Sequence, residues 1–359
     1  MLSIELVKNV TRKFVTKSAL TDYEIKEAVR SVLILEIPDS ITAAFLTALT
    51  MAGTTEREIR IVREVLRNEC KSFTIPTNGS IIDNCGTGGD MMKSFNISTA
   101  AAVIAASLGC TVAKHGNKSA SGICGSADFL EKVGFDLDCP TGKVVNSIKN
   151  VGICFLYAPK FHPSLMRISP IRKQIGFKTI FNILGPLSNP CSNLSGQVIG
   201  VSNSALIEPL SSVMKGSHIR NVILVHSDDG YDELSNTSEN TIVVIKNSEA
   251  KLCRFNPTSV GIKIARTEEI QISSVEDSVR STLQVIHGNA SSPKQDMVIL
   301  NSSLALLASE KVDSIRDGIE MSRRSFKSAG PRMKLGELIN ACGDVDQLAR
   351  IEKKFGLGH

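Results

Sequence analysis

The chain has 359 residues with a formal charge of +5, 21% charged and 42% hydrophobic residues, a composition that excludes disordered and fibrous classes and accommodates one large domain with a smaller companion. No run of lysine and arginine is dense enough for a nucleic-acid stripe, and no apolar run reaches the length, about 20 residues, that spans a bilayer, so neither nucleic acid nor membrane is expected as a partner. Met1 opens into amphipathic sequence without a signal-peptide pattern, and none of the nine cysteines forms a Cys-x-x-Cys motif, which implies a cytoplasmic protein with free thiols.

The first stretch, roughly 70 residues, reads as helices, because apolar residues recur at three- and four-residue spacing. Ile4, Val7, Val10 and Phe14 line the first, and Ile25, Ala28, Val29, Val32 and Leu33 line the second, entered through Thr21 and Asp22. A third runs from Ser40 through Ala44, Phe45 and Leu49 and is closed by Gly53. Thr55 and Glu58 make a predicted capping box for the fourth, whose apolar face carries Ile59, Val62 and Leu66. Phe45 and Leu49 fit either the core of this unit or an interface between subunits. From Ser80 the texture changes to short β-branched runs alternating with helical patterns, which predicts a parallel sheet. The predicted strands are Ile81 to Asn84, Thr111 to Lys114, Ile153 to Tyr157, Gln197 to Val201, Val222 to Val225 and Ile242 to Ile245; an alanine-rich helix from Ser98 to Leu108 ends at Gly109. The expected class is therefore α/β: a large domain, residues 73–359, with a mostly parallel central sheet flanked by helices, plus a small all-helical amino-terminal domain, residues 1–72.

The sharpest motif is Asp83-Asn84-Cys85-Gly86-Thr87-Gly88-Gly89-Asp90, which follows a predicted strand and precedes the helix start Asn96-Ile97-Ser98-Thr99. A lone glycine run is as readily a tight turn. Three glycines in four residues, opening toward a helix amino terminus, instead make a cradle whose N–H groups face an anion. The run lacks the Gly-Lys-Ser/Thr of a P-loop and the Gly-x-Gly-x-x-Gly of a dinucleotide site, which argues against an ordinary kinase or dehydrogenase. A second cluster, Lys114-His115-Gly116-Asn117-Lys118-Ser119-Ala120-Ser121 continuing to Gly125-Ser126-Ala127-Asp128, ends the next strand. On its own it fits a solvent loop equally well. Beside the first loop, at the carboxyl ends of neighbouring strands, it suits phosphates and a ribose.

Gly-Thr-Gly-Gly-Asp followed by Phe95-Asn96-Ile97-Ser98-Thr99, then Lys-His-Gly-Asn, resembles the anthranilate phosphoribosyltransferase family. Arg172 through Asn182-Ile183-Leu184-Gly185-Pro186-Leu187-Ser188-Asn189-Pro190 agrees, as does Val225-His226 leading to Asp229-Gly230-Tyr231-Asp232-Glu233-Leu234-Ser235, and the likeness extends to Asp296–Asn301. It implies transfer of a phosphoribosyl group from phosphoribosyl pyrophosphate to anthranilate, a step of tryptophan biosynthesis, with two magnesium ions per subunit and a homodimer paired through the helical region. It also implies that a stretch near residues 171–190 joins the helical domain.

Carried onto this sequence, the family's phosphoribosyl pyrophosphate site falls on Gly86, Thr87, Gly88, Gly89, Asp90, Ser94, Asn96, Ile97, Ser98, Thr99, Lys114, His115, Gly116, Asn117, Ser121 and Ser126. Gly86, His115, Asn117, His162 and Arg172 match the anthranilate site, where arginine's planar fork suits a carboxylate; His162 reads equally as a structural histidine. Ser98, Asp232 and Glu233 match the magnesium ligands, hard oxygens of the kind that ion prefers. Adjacent residues of a strand face opposite ways, so Asp232 and Glu233 serve one site only if the backbone turns, as Gly230 permits. Lys114 and Arg172 are the expected catalytic residues. Met91, Met92 and Lys93 depart from the family's extra glycine, and Leu165 stands where an aromatic residue or methionine is common. Two alternatives remain at this level. A pyrimidine nucleoside phosphorylase shares the resemblance in fold, but Thr179 to Pro190 lacks that family's lysine; a non-catalytic nucleic-acid-binding paralogue would be expected to lose the glycine loop or the acidic pair.

Overall fold

The computed structural model describes residues 2–77, 79–89, 92–119 and 122–357. Four helices open the chain: α1 (Leu2–Val15), α2 (Asp22–Ile34), α3 (Asp39–Met51) and α4 (Glu56–Asn68). Val7 and Val10 of α1 and Ile25, Ala28, Val29, Val32 and Leu33 of α2 are buried, as their helical spacing predicts. Phe45 and Leu49 of α3 are wholly buried within the chain, so they belong to its core. Thr21 and Glu24 close a reciprocal capping box, with Glu24 N donating to Thr21 Oγ1 at 3.2 Å and Thr21 N donating to Glu24 Oε2 at 2.9 Å. The box expected at Thr55 does not form: Thr55 Oγ1 donates its proton to the buried Glu58 carboxylate, and its side chain caps no backbone N–H.

Seven strands form one sheet in the order β3-β2-β1-β4-β5-β6-β7: β1 (Ile81–Asn84), β2 (Thr111–Gly116), β3 (Ile153–Tyr157), β4 (Gly196–Gly200), β5 (Asn221–Ser227), β6 (Asn240–Lys246) and β7 (Glu249–Phe255). The first five are parallel; β6 and β7 join antiparallel, with Val222 opposite Ile245 and Ile242 opposite Cys253. All six predicted strands are present. The seventh, β7, was not predicted, because its residues are mostly exposed and carry no apolar alternation. It is held by a two-residue hairpin in which Asn247 and Ser248 both adopt positive φ, 49° and 69°.

Helices α5 (Ile97–Ser107), α6 (Ser126–Lys132), α7 (Thr141–Asn150), α8 (Ala158–Phe161), α9 (Pro163–Ile175), α10 (Ile207–Lys215), α11 (Val275–Ile286), α12 (Ser292–Ala308), α13 (Ile315–Ser325), α14 (Gly330–Cys342) and α15 (Val345–Lys354) flank the sheet and complete its core. The alanine run of α5 is buried on every side because α11, α12 and α14 pack around it. Helix α9 packs instead on α2 and α3, and the turn Pro186–Ser188 packs on α4. No helix among the described residues is long and apolar enough to cross a membrane. The chain runs outward from β1 through β2 to β3, then returns to β4 on the other side of β1. This reversal of strand order opens a crevice at the carboxyl ends of β1, β2 and β4, where α/β folds bind ligands.

Candidate active site

Glycine is required in the loop after β1 by geometry. Gly88 and Gly89 sit at φ 68° and 72°, in the left-handed region that favours glycine. A Cβ on Gly86 would lie 2.2 Å from Asp232 Oδ2. The loop is sewn to β4: Cys85 N donates to Val198 O at 3.0 Å, Thr87 N to Gly200 O at 2.8 Å, and Ser202 N to Thr87 Oγ1 at 3.2 Å. Gly88 N, the N–H such a loop offers an anion, donates to Asp232 Oδ2 at 2.7 Å.

Lys114, near the end of β2, is buried and reaches β1 and the first turn of α5. Its Nζ donates to Asn84 O at 2.7 Å, Asn84 Oδ1 at 3.3 Å and Ser98 Oγ at 3.2 Å. Beneath it the Asp83 carboxylate accepts from His115 N at 3.0 Å and Gln197 Nε2 at 3.3 Å. Complete burial pushes the Asp83 pKa up to about 6, opposed by the nearby Lys114 charge. Asn96 turns its amide to Ser278 Oγ of α11, 3.0 Å away. Ile97 and Thr99 are buried; Ile97 N donates to Phe95 O at 2.8 Å, and Thr99 Oγ1 has no hydrogen-bond partner.

Ser98, Asp232 and Glu233 line one small recess with Asn84, Gly86, Gly200 and Asn301. The segment after β5 reaches it through a turn at Gly230, φ 97°, followed by a bend over Asp232 and Glu233, which lets adjacent carboxylates share a site. Burial raises the Asp232 pKa, countered by the Gly88 hydrogen bond and by the charges of Lys178 and Lys114. A carboxylate that desolvation drives toward neutrality, beside a second carboxylate and a hydroxyl, is a donor set that fits a hard divalent cation.

The second loop places Gly116 where a Cβ would lie 2.3 Å from Ser126 Oγ and 2.7 Å from the Phe155 ring. Asn117 is exposed, and its carbonyl accepts from Ser126 Oγ at 3.3 Å. Lys118 points outward to Glu131, 2.9 Å away, and adds nothing to the crevice wall. Ser94 forms an isolated bridge with Gln271.

His115 and His162 lie with ring centroids 5.3 Å apart. Burial pushes their pKa values down to about 3 and about 4, so both are neutral near pH 7. His115 Nδ1 lies 3.0 Å from Gly185 O and must donate to it, which leaves Nε2 as a buried acceptor without a hydrogen-bond partner. His162 Nε2 faces Cys70 Sγ at 3.8 Å, and its Nδ1 has no partner. Arg172, in the last turn of α9, donates to Asn182 Oδ1 at 3.0 Å and lies 5.8 Å over the Phe181 ring, while its buried Nε has no partner. Leu165 is partly buried against the core.

Gly86 to Gly89, Ser98, Lys114, Asp232 and Glu233 therefore come together around the crevice, and His115 and His162 form an adjoining pair. The side chains of Asn96 and Thr99 are directed elsewhere. Asp90, Met91 and Ser121 lie outside the described residues. Three participants escaped the sequence reading. Ser202 braces the glycine loop by donating to Gly88 O at 3.0 Å. At Gly200 an added Cβ would lie 1.6 Å from Asp232 O. Lys178 Nζ donates to Gly89 O. A glycine one residue before the end of a predicted strand, and a lysine six residues past Arg172, were the only signals.

Residues 8–70 match the glycosyl transferase family, helical bundle domain, and residues 78–330 match the glycosyl transferase family, a/b domain. The chain is 38% identical over 300 residues to the anthranilate phosphoribosyltransferase of Herpetosiphon aurantiacus, spanning 83% of this chain and 88% of that one. It is 33% identical over 346 residues to that of Nitrosopumilus maritimus, spanning 96% and 99%. The Saccharomyces cerevisiae anthranilate phosphoribosyltransferase, solved in complex with PRPP and Mg, shares the fold with a TM-score of 0.84 at 22% identity, covering 93% of this chain and 97% of that one. The crystal structure of the Thermus thermophilus anthranilate phosphoribosyltransferase superposes with a TM-score of 0.85 at 30% identity, covering 92% and 98%. With both family regions matched in order and such relatives spanning nearly its whole length, the chain belongs to the anthranilate phosphoribosyltransferase family.

Proposed function

We propose that the chain transfers the phosphoribosyl group of 5-phosphoribosyl 1-pyrophosphate to the amine of anthranilate, giving N-(5-phosphoribosyl)anthranilate and pyrophosphate in tryptophan biosynthesis. The observation that carries this reading is the convergence of the Gly86–Gly89 cradle, Lys114 and the Asp232–Glu233 pair on one crevice. The yeast neighbour solved with PRPP and Mg supports it.

In this reading the loop from Gly86 to Asp90 and the helix start from Ile97 to Thr99 receive the pyrophosphate, with Ser94 and Asn96 at its edge. The loop from His115 through Asn117, Ser121 and Ser126 receives the phosphoribose. Ser98, Asp232 and Glu233 would hold magnesium, with two ions per subunit. The ion would neutralise charge on the departing pyrophosphate. Lys114 adds fixed positive charge on the same side, and loop N–H groups supply preorganised donors.

Arg172, helped by Asn117, grips the anthranilate carboxylate, with Gly86 and His162 against the ring. The buried Nε2 lone pair of His115 suits the amine N–H of the acceptor rather than its carboxylate. An arylamine is unprotonated near neutral pH, so the attack needs no strong general base and no protein nucleophile. The residues act by aligning the amine with the anomeric carbon, opposite the leaving group, for displacement with inversion. The proposal extends to a helical unit of residues 1–72 with 171–190, an α/β unit of residues 73–359, and a homodimer in the cytoplasm. The exposed Leu2, Tyr23 and Met51 of the helical unit support the pairing. The test is loss of anthranilate fluorescence on mixing with phosphoribosyl pyrophosphate, with and without magnesium. Loss that requires both additions is expected, and unchanged fluorescence would refute the activity.

A further inference from the structure

Lys114 and Lys178 both bring positive charge to bear on the crevice carboxylate Asp232, and they differ in what they have left to offer. Lys114 is buried and all three of its N–H groups have protein acceptors: Asn84 O, Asn84 Oδ1 and Ser98 Oγ. It supplies charge, but a direct phosphate contact would require giving up one of these bonds. Lys178 is exposed, and among the described residues its sole hydrogen-bond acceptor is Gly89 O. A second observation places the same ammonium on the glycine loop. A Cβ built on Gly89 would lie 2.6 Å from Lys178 Nζ and 2.8 Å from its Cε, so the end of the side chain lies directly over the loop.

We propose that Lys178 is a pyrophosphate-binding residue, whose ammonium binds the leaving group of the phosphoribosyl donor from the acceptor side of the crevice. The inference rests on the donor reading above. A neutral carbonyl is a weaker partner for an ammonium than a phosphate oxygen, so an arriving diphosphate takes Lys178 from Gly89 O without leaving a buried group unpaired. Position gives this exchange a consequence. Lys178 lies between Arg172 at the end of α9 and Asn182, which accepts the Arg172 hydrogen bond at 3.0 Å. Diphosphate held by Lys178 therefore lies beside the segment that carries the acceptor's carboxylate reader, whose own bond to Asn182 does not depend on Lys178.

The test combines steady-state kinetics with calorimetric titration of magnesium pyrophosphate into the full-length protein. Lys178→Ala is expected to raise the KM for phosphoribosyl pyrophosphate, and the Kd for pyrophosphate, by roughly ten- to a hundredfold. The anthranilate KM at saturating donor should stay within about threefold, and Lys178→Arg should recover most of the loss. Lys143→Ala on α7, a charge loss elsewhere, is expected to change neither. Wild-type donor KM and pyrophosphate affinity in Lys178→Ala would overturn the proposal. So would a parallel rise of both substrate KM values in the Ala and Arg variants, which would mark a merely structural role. A wild-type protein that does not turn over would sink the assigned reaction; the pyrophosphate titration would still decide the role of Lys178.

Discussion

Gly200→Ala tests whether the acidic pair depends on a residue that touches no substrate. Gly200 ends β4, and a Cβ there would stand 1.6 Å from the carbonyl oxygen of Asp232 and 2.6 Å from its carbonyl carbon. The colliding atoms are backbone, so no rotamer change relieves them. Restoring even the 3.0 Å floor of real Cβ contacts moves the 231–233 segment by at least about 1.4 Å. That shift, directed away from β4, breaks the 2.7 Å bond between Asp232 Oδ2 and Gly88 N and displaces both carboxylates from the recess. Overpacking of this kind costs about 1–3 kcal/mol of stability, which a chain of this size tolerates. Misplacing a reacting group by about 1 Å costs on the order of a hundredfold in rate. The expected result is a cooperatively folded protein whose kcat/KM falls by about a hundredfold or more and whose half-saturating magnesium concentration rises. Anthranilate binding should be retained, since Arg172, His115 and His162 lie on other elements. Anthranilate fluorescence across a magnesium titration reads both quantities, and thermal unfolding checks the fold. A folded Gly200→Ala enzyme with wild-type magnesium dependence would show that Asp232 does not hold the metal. Gly86→Ala makes a graded companion: its clash is with the Asp232 side chain, 2.2 Å away, which can rotate aside.

Arg172→Ala should weaken anthranilate binding and leave the phosphoribosyl pyrophosphate KM nearly unchanged; an unaltered anthranilate KM would remove Arg172 from the acceptor site. Lys114→Ala should lower mainly the donor-dependent rate and also the melting temperature, because it leaves Asp83 buried without its counter-charge and frees three acceptors. Wild-type stability in that variant would contradict the buried network. Burial moves titrating groups both ways: the pKa values of His115, His162, His218 and His287 are lowered and those of Asp83, Asp232 and Asp296 raised. His115 and His162 have folded pKa values below the usual 6.5, so their stabilising contribution is complete above pH 6.5 and is lost as the pH falls toward about 3 for His115 and about 4 for His162. Asp83 has a folded pKa raised from 3.8 to about 6, so it acts oppositely, losing stability as pH rises across that window. Four lowered histidines against three raised carboxylates leave a net fall, and chemical denaturation between pH 6.5 and 4 should show stability falling with pH, by up to about 1.4 kcal/mol per unit for each net group. Asp83→Asn should steepen that fall, and a flat or shallower profile in the variant would refute the assignment to Asp83.

Strong periodicity made most of the fold legible. The four opening helices follow from apolar residues on one face, and the six predicted strands from β-branched runs, because burial on one or two faces leaves a compositional mark. β7 left none: Glu249, Lys251 and Arg254 face solvent, and the strand exists through backbone pairing to β6 and a tight Asn247–Ser248 turn. Thr55 and Glu58 show the converse. Their spacing permits a capping box, but spacing does not decide whether a hydroxyl accepts from the backbone or donates to the carboxylate, and here it donates.

The same distinction separates the parts of the site that were readable from those that were not. Anion-cradling glycines, a strand-end lysine and a carboxylate pair are legible because the chemistry dictates both residue type and order. Gly200 and Lys178 are dictated by contacts across the crevice, with Asp232 thirty-two residues further on and with Gly89 eighty-nine residues earlier. A glycine at a strand end has many uses, and a lysine in a turn is ordinarily solvated; only the fold tells which backbone each meets. Side-chain direction was equally hidden. Asn96 and Thr99 sit in the motif as predicted, yet α11 takes both the Asn96 N–H and its amide and Thr99 is buried, so in the proposed site these side chains are not the anion's donors. If so, Thr99→Val, which keeps shape and backbone, should leave the KM for phosphoribosyl pyrophosphate within about twofold, whereas Ser98→Ala, which removes an oxygen from the recess and an acceptor from Lys114, should raise it. A large loss in Thr99→Val would mean that its hydroxyl, buried without a partner, turns to meet the ligand after all.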